Sequence, residues 1–337
     1  MKLAILDDYA GVALSSAEWH TLEGVADIVV FREHMPLDQA VTRLAGFDVL
    51  CAMRERMPLS AELFAALPKL KLVTIVGKSL ANLDIAAATA NGVALVHPAE
   101  DLNNPQRDLF VHATPELAWG LVLSVARNIP IEDRNLRRGG WQSRTGMMLA
   151  GHTLGLLGLG NTGRIVAHYG QAFGMKVIAW SQNLSVERAT AAGVAAVDRA
   201  SLFADSDILS IHLQLSERTR HLVGAKEIAL MKRDAILVNT SRGAIVDEAA
   251  LVAALEEGRL AGAGLDVFET EPIPADHPLL RLPKVTLTPH VGYSTPQILA
   301  SFYRDMPEAI VAYARDAPIR VLNPIALKHP KHARKCR

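Results

Sequence analysis

Gly158-Leu159-Gly160-Asn161-Thr162-Gly163 follows an apolar run, Thr153 to Leu157, and opens an amphipathic segment, Arg164 to Phe173. The order is strand, glycine turn, helix. A dinucleotide site needs this order because the three glycines do different things. The first permits a tight turn, the second lets the backbone approach a pyrophosphate, and the third lets helix and strand pack closely. The helix N-terminus then offers unpaired N–H groups and a positive dipole end to the phosphates. A lone G-x-G-x-x-G is a weak signal, because a glycine-rich turn can join a buried strand to its crossover helix without any ligand. Here a second apolar run, Lys176 to Trp180, completes a β-α-β unit of about 30 residues, which gives the cofactor reading its weight.

Short β-rich runs alternate with helix-like stretches in two series, the pattern of parallel α/β sheets. The first is Lys2–Asp7, Asp27–Phe31, Val49–Met53, Leu72–Val76 and Val93–Val96, with a helix over Ser60–Leu67 capped at Ser60 and stopped by Pro68. The second is Thr153–Leu157, Lys176–Trp180, Ile208–Leu213, Ala235–Asn239, Gly264–Phe268 and Val285–Thr288. Six strands match a dinucleotide-binding sheet. Between the series, the polar stretch His97 to Arg107 carries Pro98 and Pro105 and breaks all periodicity, so it reads as an interdomain crossover. Helical spacing predicts one long helix over Pro115–Ile129 and another over Pro296–Ala314. The extended Ile319–Pro324 is expected to pack back on the first domain. The closing stretch from Lys328, rich in Lys, Arg and His, reads as a solvated tail.

With 337 residues, about two domains are expected, and 50% hydrophobic against 21% charged residues gives a large core. Lys+Arg and Asp+Glu balance at 35 each, so no chain-wide field favours nucleic acid or an anionic membrane. Cys51 and Cys336 stand far apart with no C-x-x-C spacing, which points to a reducing compartment. The N-terminus meets Asp7 after a few apolar residues and no uninterrupted run of about 18 apolar residues occurs, so a soluble, cytoplasmic protein is expected. The histidines His97, His112, His152, His212 and His277 show no ligand spacing such as H-E-x-x-H, and no metal is assigned.

Ligands of open α/β sheets bind beyond the carboxyl ends of the strands. Three stretches end strands there: Asn239-Thr240-Ser241-Arg242-Gly243, Asp266-Val267-Phe268-Glu269-Thr270-Glu271-Pro272 and Thr288-Pro289-His290-Val291-Gly292-Tyr293. An arginine, a carboxylate and a histidine thus converge on one sheet edge beside the cofactor turn. That is a hydride-transfer site in outline.

The chain resembles the D-isomer-specific 2-hydroxyacid dehydrogenases, including phosphoglycerate dehydrogenases and glyoxylate or hydroxypyruvate reductases. The likeness lies in Leu237 to Glu248 (LVNTSRGAIVDE), Leu265 to Pro272 (LDVFETEP) and Thr288 to Tyr293 (TPHVGY), in that order after the glycine turn. The resemblance implies two doubly wound parallel-sheet domains with a cleft between them: a Rossmann dinucleotide-binding domain over 107–295 and a flavodoxin-like substrate domain made of 1–106 and 296–327, with 328–337 as the basic tail. It also implies a homodimer.

Reducing a 2-oxo acid puts hydride on carbon and negative charge on oxygen, so a proton donor is needed. An imidazolium suits neutral pH, and His290 is the candidate. A carboxylate on the far ring nitrogen favours the protonated form and orients the ring, the role assigned to Glu271. Arg242 offers a planar fork of donors that can hold the substrate carboxylate. The cofactor, NAD or NADP, is assigned to Gly158, Gly160, Asn161, Thr162, Gly163, Ser181 and Thr240. By resemblance Asp266 hydrogen-bonds the nicotinamide carboxamide, with a strand-end cap as the alternative. Resemblance also assigns the loop Gly77-Lys78-Ser79 to the substrate carboxylate, although it departs from the usual glycine-rich pattern. Lys78 either adds charge to the pocket or points to solvent. Arg54 and Arg56 either reach the substrate's distal group or face solvent. Ser181 stands where an NAD-preferring site usually has an acid, and no arginine follows at once to attract a 2′-phosphate, so NAD and NADP both stay open. A dinucleotide-sensing corepressor or interaction protein on the same fold is the alternative function; its mark would be an exposed peptide groove.

Overall fold

The computed structural model describes residues 1–53, 56–76, 82–97 and 107–332. The chain divides into two compact units, Met1–Pro105 with Thr295–Arg337 and Gln106–Ser294.

The first unit is built on a five-stranded parallel sheet of β1 (Lys2–Ile5), β2 (Asp27–Val30), β3 (Val49–Met53), β4 (Leu72–Val76) and β5 (Ala94–Val96). Their order, β2-β1-β3-β4-β5, is the flavodoxin-like one. The connecting helices are α1 (Leu37–Leu44), α2 (Ala61–Ala66) and α3 (Ile85–Ala90). Ser60 caps α2 by accepting the Leu63 N–H, and Asp84 caps α3 through Ala87. Every residue of β3 and β4 is buried, as strands covered on both faces require. The expected helix over 296–314 is two helices, Pro296–Tyr303 and Met306–Ala314. Pro307 sits in the first turn of the second, where its missing N–H costs nothing.

After these helices the chain returns along the edge of β5. Val96 bridges Val321 in antiparallel fashion, and the buried Asn323 side chain accepts from Leu95 N at 2.8 Å and donates to Val93 O at 3.0 Å. The stretch read as a solvated tail packs on this unit as far as His332. The His332 ring meets the Tyr313 hydroxyl at 2.8 Å and the Gly92 carbonyl at 2.9 Å.

The second unit opens with α4 (Ala113–Ala126) and α5 (Ile129–Arg137). The single helix expected over 115–129 breaks at Asn128, whose φ of +53° cannot continue a right-handed helix. The segment Asp108–Ala126 is long and apolar enough by composition to cross a membrane. In this fold its Ala118, Leu121 and Val122 are buried in one of the unit's two cores.

Seven parallel strands follow: β6 (Thr153–Leu157), β7 (Lys176–Trp180), β8 (Ala195–Ala196), β9 (Ile208–Ile211), β10 (Ile236–Asn239), β11 (Gly262–Leu265) and β12 (Val285–Leu287). The helices between them are α6 (Asn161–Ala172), α7 (Val186–Ala191), α8 (Arg199–Asp205), α9 (Ala225–Leu230) and α10 (Glu248–Glu256). The order β12-β11-β10-β9-β6-β7-β8 is the doubly wound Rossmann order extended by one strand. The six-strand expectation is corrected by β8, a two-residue edge strand too short to leave a periodic signal. Alternation along the strands feeds the two cores: Leu154 and Leu156 of β6 enter one and Leu157 the other. Direction reverses at β6, which pairs with β7 on one side and β9 on the other. Ligand crevices of such sheets form at this reversal, and the glycine turn leaves β6 here.

Candidate active site

The three glycines after β6 have three different surroundings. Gly158 adopts φ +105°, and a Cβ there would lie 2.7 Å from the His212 carbonyl oxygen. A Cβ on Gly163 would collide with the Gly158 carbonyl, so this glycine lets α6 close on the turn. A Cβ on Gly160 would meet nothing within 4 Å. Gly160 is also the N-cap of α6, and no cap side chain takes up the first N–H groups of the helix, from Asn161 and Thr162 onward. That is the geometry a pyrophosphate needs. Asn161 is exposed and Thr162 half-buried in this first turn. Ser181 directly follows β7, the neighbour of β6, and its carbonyl closes a turn with Leu184 N at 3.0 Å. Thr240 directly follows β10 and is 7% exposed, and its Oγ1 is buried without a hydrogen-bond partner. Such an orphaned hydroxyl fits a polar ligand group.

His212 lines the turn from the end of β9. Its Nε2 pairs with Ser210 Oγ at 2.9 Å, and its Nδ1 is buried without a partner. Burial pushes its imidazole down to about 4, so the ring is neutral at physiological pH.

His290 and Glu271 are brought together by tertiary structure. The His290 Nδ1 lies 2.5 Å from Glu271 Oε2. A carboxylate can only accept, so Nδ1 carries the hydrogen of this bond and the edge of the ring turned from Glu271 is the one bearing Nε2. The other carboxylate oxygen of Glu271 accepts Phe268 N at 3.0 Å, which fixes the carboxylate against its own loop. The backbone of His290 is left-handed, φ +53°, a conformation that costs a non-glycine residue about 1–2 kcal/mol. Asp266, 1% exposed, gathers this loop by accepting Thr288 Oγ1 at 2.6 Å, Val291 N at 2.8 Å and Gly292 N at 2.9 Å. Its carboxyl is pushed up by burial, against the pull of these bonds and of the nearby His290.

Arg242 begins the 3-10 turn Gly243–Ile245, and its guanidinium donates to Ser241 O at 2.8 Å. Two residues unassigned in the sequence hold its loop. Asn239, 1% exposed, donates to Arg242 O and accepts from Ser241 N, both at 3.0 Å. Gly243 lies so close to the Phe268 backbone that no Cβ fits. Their signal was present in the Asn-Thr-Ser-Arg-Gly string, but its reason is a contact with a different loop. Arg54, Gly77, Lys78 and Ser79, assigned to substrate, lie outside the described residues, as do residues 98–106 of the crossover. Among the described residues, no group of three or more His, Cys, Asp or Glu side chains could hold a metal ion.

The model of the D-isomer specific 2-hydroxyacid dehydrogenase NAD binding domain matches residues 119–292. The chain belongs to the D-isomer specific 2-hydroxyacid dehydrogenase family. It is 36% identical over 295 residues to a glyoxylate reductase of Korarchaeum cryptofilum, covering 86% of each chain. It is 38% identical over 277 residues to a D-3-phosphoglycerate dehydrogenase of Methanocaldococcus jannaschii, covering 81% of this chain and 51% of that protein. The crystal structure of a phosphoglycerate oxidoreductase from Vibrio cholerae superposes with a TM-score of 0.84 at 34% identity, over 94% of this chain and 100% of the other. As a member of this family the chain is an oxidoreductase with a Rossmann domain for NAD or NADP, acting in the chemistry of 2-hydroxy and 2-oxo acids.

Proposed function

We propose that this dehydrogenase reduces a small 2-oxo acid to its D-2-hydroxy acid, with His290 as proton donor, Glu271 as its partner and Arg242 as the anchor of the substrate carboxylate. The observation that carries this reading is the 2.5 Å contact between His290 Nδ1 and Glu271 Oε2. A nicotinamide held in this domain would supply the hydride. Residues Gly158, Gly160, Asn161, Thr162, Gly163, Ser181 and Thr240 hold the dinucleotide. Charge gathers on the carbonyl oxygen as its carbon is reduced, and Nε2–H of a His290 imidazolium donates its proton there. Glu271 compensates the positive ring and sets its orientation. Arg242 presents two parallel N–H donors to a carboxylate, which aligns the adjacent carbonyl.

The test is a panel of glyoxylate, hydroxypyruvate, 3-phosphohydroxypyruvate and pyruvate with NADH and with NADPH. The reading expects reduced-cofactor absorbance to fall with at least one pair and, for every substrate but glyoxylate, whose product glycolate is achiral, the product to be the D isomer; an inert panel, or an L product, counts against it. The same reading takes the enzyme as a cytoplasmic homodimer, and sedimentation equilibrium tests the dimer.

A further inference from the structure

Beneath the charged groups of the site lies a buried polar pair. Asn239 ends β10 and Asp266 follows the adjacent β11, and Asp266 N donates to Asn239 O at 3.0 Å. Each is 1% exposed, and a polar side chain so deeply buried must have its hydrogen bonds satisfied to be tolerated. The two side chains meet this demand in different ways. Asn239 gives one bond and takes one, to Arg242 O and from Ser241 N. Asp266 takes three and gives none: Thr288 Oγ1 and Val291 N on Oδ1, and Gly292 N on Oδ2. These donors flank His290 on both sides. The fit is tight, because a Cβ on Gly292 would come within 3.2 Å of Asp266 Oδ2.

The chemistry of each position follows from this pattern. Of the two side chains of this shape, only the amide both donates and accepts at 239; an aspartate would set an oxygen against the Arg242 carbonyl. At 266 only a carboxylate accepts on both sides; an asparagine would turn an NH2 toward one of the N–H or O–H donors. We infer that Asn239 and Asp266 form the positioning pair of the reaction centre, Asn239 setting the place of Arg242 and Asp266 that of His290. This rests on the roles proposed for Arg242 and His290. It gives Asp266 a function in the protein scaffold distinct from a contact with the nicotinamide.

Asn239→Asp and Asp266→Asn test the pair, read by thermal melting, by dinucleotide binding through protein fluorescence and by steady-state reduction of glyoxylate or hydroxypyruvate, whichever reacts faster. Asn239→Asp should raise KM for the 2-oxo acid about tenfold or more, and Asp266→Asn should lower kcat about tenfold or more with KM little changed. Both should keep the dinucleotide Kd within about twofold of wild type. If Asn239→Asp prevents folding, the milder Asn239→Ser replaces it, because both partners of the Asn239 amide are backbone groups; if Asp266→Asn does, Thr288→Val replaces it by removing one of the three donors, with the same split between KM and kcat at smaller size.

Folded variants with wild-type kcat and KM overturn the inference. So does a parallel loss of kcat and KM in both variants, which would mark a merely structural role. A fall in dinucleotide affinity as large as the fall in kcat for Asp266→Asn would move that carboxylate to the cofactor. Failure of the underlying reading looks different: His290→Ala and Arg242→Ala would then leave reduction unchanged.

Discussion

Gly243 and Phe268 are in backbone contact: a Cβ on Gly243 would overlap the Phe268 carbonyl group and crowd Glu269 N at 2.5 Å. One loop carries Arg242 and the other carries Glu271, so this contact ties the proposed substrate anchor to the partner of the proposed proton donor.

Gly243→Ala should therefore damage both functions together. A methyl group here meets backbone, which cannot rotate away, and overpacking of this kind costs about 1–3 kcal/mol. The expected result is a lower melting temperature, a higher KM for the 2-oxo acid and a lower kcat in the same variant. A variant with wild-type kinetics would show that the two loops move independently.

Gly160 and Gly163 should respond in opposite ways to added bulk. Gly160→Val places its side chain in open space, so the fold should persist while dinucleotide affinity falls about tenfold or more, a loss of about 1.4 kcal/mol. Gly163→Val drives its side chain into the Gly158 carbonyl and should destabilise the unit itself. Melting curves and fluorescence titrations with NADH separate the two, and a folded Gly160→Val with native affinity would take the pyrophosphate away from this turn.

His290→Ala removes the proposed acid and should lower kcat by about 10²–10⁴-fold while NADH still binds. Glu271→Gln keeps an acceptor for Nδ1–H but loses the charge, worth about 1.5–3 kcal/mol in a hydrogen bond to a charged group, or roughly 10- to 10²-fold in rate. The histidine variant should thus be the more impaired. Equal activity in both variants and wild type, measured in single turnover, would dismiss the pair as the acid unit.

His212 should make the fold sensitive to mild acid. The residue as a whole is only half-buried, yet its Nδ1 is shut off from solvent, and the surroundings of that nitrogen set the cost of charging the ring. Its value of about 4 lies below the ordinary 6.5, so below pH 6.5 the unfolded chain binds a proton that the folded chain refuses. The stabilisation from a neutral ring is complete above 6.5 and is lost as pH falls toward 4, by about 3 kcal/mol at most. Denaturant titrations across this window should show stability falling with acid in the wild type and falling less in His212→Gln. Identical slopes would mean that the ring protonates without cost in the folded state.

Strands, helices and their parallel pairing were legible because they arise from local patterns: apolar runs, caps such as Ser60, and glycines where the chain must turn. The glycine turn after β6 could be placed from the order of neighbours alone. His290, Glu271 and Arg242 could be named because ends of parallel strands face one side of a sheet. The two-residue β8 and the break at Asn128 escaped, since neither carries a periodic signal.

The sequence by itself determined which residues would stand at the carboxyl edge of the large sheet, because that depends on chain order and on the period of each element. It did not determine how those residues are held. The closeness of His290 to Glu271, the three bonds of Asp266, the balance of donor and acceptor at Asn239 and the contact of Gly243 with Phe268 all depend on how separate loops meet. Only the tertiary structure decided them, because a hydrogen bond or a steric overlap depends on distances of a few tenths of an ångström between loops, and no local propensity encodes those distances.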